Sequence, residues 1–194
     1  MFDNPVLEYF SHIHPAVPVV VYLPVITIFL YIGFTTVSVL PAIGMYFAGV
    51  LLWTFTEYIL HRFVFHYEPK SAIGKKIHFL THGVHHAYPQ DSTRMVMPLL
   101  LSVPLAVAFY FLFQLIFGDY FATFYSGFVT GYVLYDSIHY ATHHWKMTGF
   151  VGRFLKQYHM KHHYMMDDRG FGVSSPLWDY VFNTRIKKGA QAKH

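Results

Sequence analysis

The sequence has no cysteine, and it has few charged residues of either sign. Without cysteine, disulfides, iron–sulfur clusters and thiolate metal sites are all excluded. Only 12% of the residues are charged whereas 54% are hydrophobic, which is too apolar for a soluble domain of 194 residues. The sparse basic residues lie between long apolar segments, and this distribution argues against nucleic-acid binding.

Carboxylates are scarce as well. The chain has ten acidic residues, of which three are glutamates (Glu8, Glu57 and Glu68). A carboxylate-rich di-iron bundle requires four glutamates and two Glu-x-x-His pairs, which this chain cannot supply. Any iron bound here must therefore be held by imidazole.

Histidine is abundant by contrast, with fifteen in the chain. Ten of them fall into four clusters, two of which repeat the pattern His-x-x-His-His. The ten are His61 and His66; His82, His85 and His86; His139 and His143; and His159, His162 and His163. Spacings of three and four residues place imidazole lone pairs on one face of a helix. The pattern predicts a two-metal centre ligated by these ten histidines, with no catalytic side chain beyond the ligands.

Four other polar residues lie close to these clusters in sequence: His78, His144, Asp136 and Glu57. Each is interpreted either as a further ligand or as a hydrogen-bond partner that orients an imidazole. Adjacent histidines such as His85 and His86 diverge by about 100° on a helix, so neighbours can serve different metals. The spacing of His61 and His66 corresponds to about 140° on a regular helix. We therefore expect the helix to distort there, or each of the two to address its own metal.

Four apolar stretches are each long enough to cross a bilayer, which requires about 20 helical residues. They cover residues 18–40, 41–60, 96–117 and 120–138. Turn residues at the two short junctions predict that the spans form two helical hairpins. The fourth span contains polar residues such as Thr123 and Ser126, so it is expected to face protein rather than lipid. Gly127 and Gly131 form a small-xxx-small pattern that predicts close contact with another helix.

The placement of basic residues predicts the orientation. They lie between the second and third spans and after the fourth span, and none is near a hairpin tip. By the positive-inside rule, these regions, both termini and all four histidine clusters lie on the cytoplasmic side. The sequence therefore predicts one all-α integral membrane domain over residues 1–194. Four transmembrane helices in two hairpins support a cytoplasmic helical cap, formed by residues 61–95 and 139–194, which holds the dimetal site.

The histidine clusters and their flanking residues resemble the fatty acid hydroxylase superfamily. The matching stretches are residues 57–66, 82–86, 136–144 and 159–163. Two further stretches, residues 94–98 and 171–179, look most like the fatty acid 2-hydroxylase branch of that superfamily. The likeness covers residues 53–184.

This resemblance implies a membrane-bound monooxygenase with two iron ions and dioxygen as the co-substrate. The implied reaction inserts a hydroxyl at C2 of a fatty acyl chain, either free or in a sphingolipid such as ceramide, and the second oxygen atom becomes water. Imidazole also suits zinc, which binds more tightly than ferrous iron in the usual affinity order. Zinc can therefore occupy the site in purified protein, where it would be inert because it has no redox chemistry.

Eukaryotic members of this branch often carry an N-terminal haem domain, and fewer than twenty residues precede the first span here. Electrons are therefore expected from a separate protein, a b-type cytochrome or a ferredoxin with its reductase. The brevity of the chain favours a bacterial inner membrane, whereas a eukaryotic source would imply the endoplasmic reticulum. Lys75, Lys76, Lys156 and Lys161 are expected either to dock an acidic redox partner or to contact anionic membrane lipids.

Two alternative functions stay open. A sterol-type desaturase or a carotenoid hydroxylase has the same kind of histidine boxes and differs in its substrate. A non-catalytic membrane protein that carries or transports metal would also need clustered ligands. Transporters, however, place such ligands near the mid-bilayer, and the first and third spans contain neither histidine nor carboxylate.

Overall fold

A computed structural model describes residue 8 and residues 12–187 of the chain, and these residues form helices and no β-strand. From residue 12 onwards the α-helices are α1 Val17–Thr36, α2 Val39–Ile59, α3 Ala72–His78, α4 Val84–Ala87, α5 Leu99–Phe117, α6 Phe121–His144, α7 Phe150–Tyr164 and α8 Leu177–Val181. Two π-helical turns cover Leu60–Phe65 and Phe79–Gly83, and a 3-10 turn covers Gly118–Tyr120. The all-helical fold predicted from the sequence is confirmed.

Three helical segments of the described chain are long and apolar enough to cross a membrane. They are Val17–Thr36, Val39–Phe65 and Leu99–His144, the last of which joins α5 to α6. Their outer faces carry large apolar side chains, including Leu40, Leu100 and Leu115, which are 81%, 75% and 85% exposed. Continuous apolar surface of this kind is suited to contact with lipid rather than with water.

The first helical hairpin turns at a slightly different place from that expected, whereas the second turns between residues 117 and 121 as expected. The first pair was predicted to meet at Pro41, but the chain reverses at Val37 and Ser38 and α2 already begins at Val39. Proline is tolerated in the first helical turn because the N–H groups there have no partner within the helix. At the other hairpin Gly118 adopts a φ of 51°, a backbone conformation that glycine reaches without steric cost.

Helix α6 lies among the other long helices and is buried along most of its length. It packs against α1, α2 and α5. Its polar residues Thr123 and Ser126 are fully buried, as expected for a segment that faces protein. The helix continues to His144, beyond the predicted limit at residue 138, because its last turns pack against α7.

Two glycines of α6 allow α2 to approach closely. A Cβ added at Gly127 would lie 2.0 Å from the carbonyl oxygen of Tyr46, and one added at Gly131 would lie 2.5 Å from Cβ of Trp53. The close contact predicted from the small-xxx-small spacing is therefore present. Because α2 leads directly to His61, this contact sets the position of the first histidine cluster relative to those on α6.

Replacing Gly127 by alanine should destabilise the fold, because the new methyl group would overlap the backbone of α2. We expect Gly127→Ala to reduce the free energy of unfolding by about 1–3 kcal/mol, the usual cost of overpacking. The matched control is Gly44→Ala in α2, where an added Cβ meets no atom within 4 Å. Thermal unfolding in detergent would measure both, and equal melting temperatures for the two variants would contradict this packing.

Candidate metal centre

The fold brings the four histidine clusters together at one end of the helical bundle. The first cluster follows α2, the second lies on the second π-turn and α4, the third is at the end of α6, and the fourth is on α7. Their ring nitrogens form two groups, and within each group the potential ligand atoms all lie within 4.8 Å of one another. Group A is His61, His66, His82, His86 and His162, and group B is His85, His139, His143, His159 and His163.

In group A a π-helical turn brings together two histidines that a regular α-helix would keep apart, His61 and His66. The Nε2 atoms of His61 and His66 lie 3.2 Å apart, although the residues are five positions apart in sequence. The π-turn Leu60–Phe65 has the i to i+5 bond pattern, and the N–H of His66 donates to the carbonyl oxygen of His61. This wider turn rotates the two side chains onto the same side. The sequence left two outcomes open for this spacing, a distorted helix or a separate metal for each residue. The helix is distorted, and His61 and His66 lie in the same group.

The remaining members of group A complete the cluster of nitrogen atoms. Nε2 of His162 lies 3.0 Å from Nε2 of His66, and the Nε2 atoms of His82 and His86 lie 2.9 Å apart. The rings of His61 and His162 are also in contact, with centroids 4.7 Å apart. Group A is therefore assembled from three separate parts of the sequence.

Group B is likewise a cluster of closely spaced Nε2 atoms, and it lies near the C-terminal ends of α6 and α7. Nε2 of His85 lies 2.8 Å from Nε2 of His139 and 2.8 Å from Nε2 of His163. Nε2 of His159 lies 3.0 Å from that of His143 and 3.0 Å from that of His163. Group B thus combines residues of α4, α6 and α7.

Adjacent histidines are divided between the two groups. His85 belongs to group B and His86 to group A, and His163 belongs to group B and His162 to group A. This division follows from the angle of about 100° between successive residues of a helix. The groups also touch, because the rings of His86 and His163 stack with centroids 4.1 Å apart.

Hydrogen bonds fix which ring nitrogen carries the proton in two members of group A. Nδ1 of His61 lies 2.6 Å from the carbonyl oxygen of Phe171, and Nδ1 of His162 lies 2.7 Å from that of Arg169. A carbonyl oxygen only accepts, so in a neutral ring Nδ1 must be the donor and Nε2 must carry a lone pair. Both lone pairs face the middle of group A, where they repel each other unless a cation lies between them.

The spacing of the nitrogen atoms also fits a metal ion. Imidazole nitrogens bind such ions at about 2.0–2.1 Å, so two ligands at right angles lie about 2.9 Å apart, and two at a tetrahedral angle about 3.3 Å apart. Neighbouring Nε2 atoms here are separated by 2.8 to 3.2 Å. The five imidazoles of each group could therefore hold one ion between them, and imidazole ligands suit iron, zinc and copper.

Burial keeps these rings uncharged. The pKa of His66 and the pKa of His86 are both lowered to about 3. The larger cause is desolvation, and the second is the nearby imidazole of His162. Desolvation is also the first cause that lowers the pKa of His82, His85 and His159, with smaller contributions from neighbouring imidazoles. The rings are thus neutral at pH 7, which is the protonation state that binds metal.

The carbonyl groups that orient His61 and His162 belong to a segment held by two buried carboxylates. Asp179 accepts hydrogen bonds from the N–H of Phe171 at 3.0 Å and of Gly172 at 2.8 Å. Glu57 accepts from the N–H of Val173 at 2.6 Å and also from the N–H and the hydroxyl of Ser174. Glu57 therefore influences His61 through this segment rather than by touching it.

The other three residues considered as ligands or partners lie outside both groups. Nε2 of His78 donates to the carbonyl oxygen of Phe65 at 2.6 Å, so this residue supports the π-turn that positions His66. The ring of His144 stacks on Tyr140, with centroids 4.7 Å apart. Asp136 faces the main-chain N–H of Met97 at 3.4 Å. None of the three contributes a nitrogen or oxygen atom to the two clusters.

Sequence reasoning missed Asp179 and the sulfur of Met95 as partners of the site. Sδ of Met95 lies 3.1 Å from Nδ1 of His85. Asp179 is fully buried, but it acts on main-chain atoms, and no side-chain spacing reveals such a role. The one sequence feature that pointed to Asp179 was its position within residues 171–179, which resemble the 2-hydroxylase branch.

A cavity of about 240 Å³ opens beside both groups. Its polar lining includes His82 of group A, His85 and His139 of group B, and also Arg94 and Asp136. Its apolar lining includes Leu60, Val64, Met97, Leu101 and Leu105. A smaller cavity of about 30 Å³ shares Leu60, Met97 and Leu105 with the first and continues between the long helices. The space next to the histidines is thus lined mainly by apolar side chains, together with a few polar groups.

The fold and the site together define a class: a membrane-type helical protein with two histidine clusters that could each hold a metal ion. The chain belongs to the fatty acid hydroxylase family, whose model matches residues 46–184. The family predicted from the histidine boxes is therefore confirmed.

Curated relatives and a solved structure agree with this membership. The chain is 41% identical to dihydroceramide fatty acyl 2-hydroxylase FAH1 of Arabidopsis thaliana, over 87% of this chain and 72% of that protein. It is 43% identical to ceramide very long chain fatty acid hydroxylase SCS7 of Saccharomyces cerevisiae, over 86% of this chain and 44% of that protein. A structure described as full length scs7p with only its hydroxylase domain visible matches with a TM-score of 0.93 and 39% identity. That match covers 100% of this chain and 74% of the other.

Removing ligands from one group should remove one metal ion and leave the other. We expect His82→Ala/His86→Ala, which affects group A, and His159→Ala/His163→Ala, which affects group B, each to lower the metal content from about two ions to about one. Mass spectrometry of the metal content at saturating iron would measure this, with His144→Ala as the control that keeps both ions. Loss of both ions from both double variants, or of none, would contradict the two-group assignment.

Proposed function

We propose that this protein is a fatty acyl 2-hydroxylase that uses two iron ions held by the histidines of groups A and B. The observation that carries the proposal is the convergence of ten neutral imidazoles in two groups beside a cavity lined mainly by apolar side chains. The 2-hydroxylases among the relatives support the position of the hydroxyl group on the acyl chain.

The lining of the cavity supports an acyl substrate. The apolar walls formed by residues such as Leu60 and Leu105 suit a hydrocarbon chain, and histidines of both groups line the same cavity. Hydroxylation at C2 places the carbonyl carbon one bond from the reacting carbon. The substrate headgroup must therefore also lie near the histidines, where Arg94 and Asp136 line the same cavity. Fatty acids and ceramides both present this arrangement.

The chain itself contributes binding, orientation and exclusion of water. Group A residues would hold one ion and group B residues the other, and the segment 169–172 orients His61 and His162 through its carbonyl groups. When bound, the two iron ions supply the activation of dioxygen that attack on an unactivated C–H bond requires. The apolar walls keep water away from the reacting carbon, which limits wasteful side reactions. Zinc would bind to the same nitrogen atoms but would supply no redox chemistry.

The reaction requires electrons from outside the chain. The substrate, dioxygen, two electrons and two protons give the 2-hydroxy product and one water. Cysteine is absent and the ten clustered histidines are assigned to the two iron ions, so we assign the electrons to a separate carrier protein, either a b-type cytochrome or a ferredoxin with its reductase.

The membrane arrangement that we propose has four transmembrane helices, α1, α2, α5 and α6, in one domain. Helix α6 is less apolar than the other three because it lies among them. The metal centre and the cap around it lie on the cytoplasmic side. This orientation follows from the positive-inside rule, because all basic residues of the described chain lie at the end of the spans opposite to the hairpin tips. A substrate dissolved in the bilayer then reaches the cavity directly from the membrane.

The alternative functions have less support. A sterol-type desaturase or a carotenoid hydroxylase would use the same histidine groups, but the relatives reported above are named as hydroxylases of fatty acyl or ceramide substrates. A non-catalytic metal carrier would need no apolar cavity next to the ligands. Analysis of the lipid products separates all three functions.

Cells that express the chain should accumulate acyl lipids with one added oxygen atom at C2. We expect His162→Ala/His163→Ala, which removes one ligand from each group, to abolish this product, whereas His144→Ala should retain it. Growth under ¹⁸O₂ should add one heavy oxygen atom to the product, as mass spectrometry would detect. Oxidation at another carbon, desaturation, or product that persists in the double variant would contradict the proposal.

The membrane arrangement can be tested with single cysteines because the natural chain has none. Lys75→Cys lies on the proposed cytoplasmic side, whereas Asp119→Cys lies at the tip of the second hairpin. A membrane-impermeant maleimide should label the first only from the cytoplasmic face and the second only from the opposite face. Labelling of both residues from the same face would mean that α5 does not cross the membrane.

A further inference from the structure

A second opening lies on the outer surface of α7, away from the substrate cavity. It has a volume of about 480 Å³ and combines three cationic side chains with three methionines. They are Arg153, Lys156, Lys161, Met147, Met160 and Met165. None of the described residues that line this groove is acidic, and the exposed Asp167 comes after the end of α7. We call this region the α7 groove.

The α7 groove lies on the reverse of the helix that carries the fourth histidine cluster. His159 and His162 are fully buried on the inner face of α7, whereas Arg153 and Lys161 are exposed on the outer face. One α-helix with its side chains is about 10 Å across, so the groove is separated from the metal ligands by roughly the thickness of one helix.

An aromatic ring connects the groove with group B. Tyr164 lines the groove and is 58% exposed. Its ring centroid lies 6.1 Å from that of His163, a member of group B. A surface group in ring contact with a metal ligand offers a short route for an electron from a docked partner.

We propose that the α7 groove is the docking surface of an acidic one-electron carrier protein. This inference rests on the proposed function, since an oxygen-activating enzyme of this kind needs external electrons and a metal carrier does not. Cationic residues around the groove attract an acidic surface and orient it before contact. Methionine side chains adapt to the shape of a partner and suit a transient contact. Two successive encounters supply the two electrons, and each leaves one carrier molecule oxidised by one electron.

An anionic membrane surface is the competing partner for the same cations. The exposed apolar residues of α7 that suit a membrane interface are Phe150, Val151 and Phe154, at the start of the helix. The groove extends beyond them to Met165, past the end of the helix. Its location over the metal ligands has no use in lipid binding but shortens the path for electrons. We therefore favour the carrier protein.

Charge reversal tests this docking surface. Arg153→Glu/Lys161→Glu should weaken the binding of a soluble acidic b-type cytochrome, or of a plant-type ferredoxin, to the purified protein by about tenfold or more at low salt. The loss should diminish as the salt concentration rises. Lys75→Glu/Lys76→Glu changes the charge equally on α3, which carries none of the ten histidines, and should retain binding.

Product formation separates this inference from the proposed function. With dithionite as the electron source, wild-type protein and both double variants should form the 2-hydroxy product at equal rates. With the carrier and its reductase, only Arg153→Glu/Lys161→Glu should be slow. Equal loss in both double variants, unchanged binding in both, or a loss that disappears when anionic lipids are omitted would overturn the docking surface. Binding of neither carrier by the wild-type protein would also overturn it, whereas absence of product with dithionite would overturn the function alone.

Discussion

The structure depends on one electrostatic constraint, which is that the unprotonated nitrogens of neutral imidazoles converge within two small volumes. Such lone pairs repel each other, and burial prevents water from satisfying them. Cations at the two centres would remove this repulsion, so metal binding would contribute to the energetics of folding. The π-turn before His66, the extension of α6 to His144 and the bonded segment 169–172 all place nitrogen atoms at these two points.

The donor set has an electrostatic consequence for the surrounding protein. Ten neutral ligands would leave the full charge of two divalent cations in a buried region, whereas carboxylate ligands would neutralise part of it. Glu57 and Asp179 are buried one hydrogen-bonded segment away from His61, and both accept main-chain N–H groups. They hold the segment that orients His61 without belonging to either histidine group.

Much of the site could be predicted from the sequence because its information is carried by spacing. The four clusters contain all ten histidines of the two groups, and helix geometry correctly predicted that His85 and His86 diverge, since they belong to different groups. The distortion at His61 and His66 was expected, but its π-helical form was not, since tertiary contacts select it. The role of Asp179 was not predictable, because it acts through main-chain atoms brought close only by folding. Membership of groups A and B likewise needed the three-dimensional arrangement of α4, α6 and α7.

The fold was predicted more reliably than its boundaries. The long apolar segments predicted the four long helices, and the glycine spacing predicted the contact of α6 with α2. The hairpin turn moved from Pro41 to Val37 and Ser38, because proline can begin a helix as readily as it can end one. The last turns of α6 extend past the apolar segment because packing against α7, and not hydropathy, determines where that helix ends.

The division of adjacent histidines between the two groups links the metals to each other. His85 and His86 share α4, and His162 and His163 share α7, yet each pair sends one ring to either group. An ion bound in group A therefore orders the same helical turns that group B requires. A second ion would then meet ligands that have already lost part of their conformational entropy. Metal binding in one group would therefore rigidify the turns that carry ligands of the other, even in a variant whose second group can no longer hold an ion.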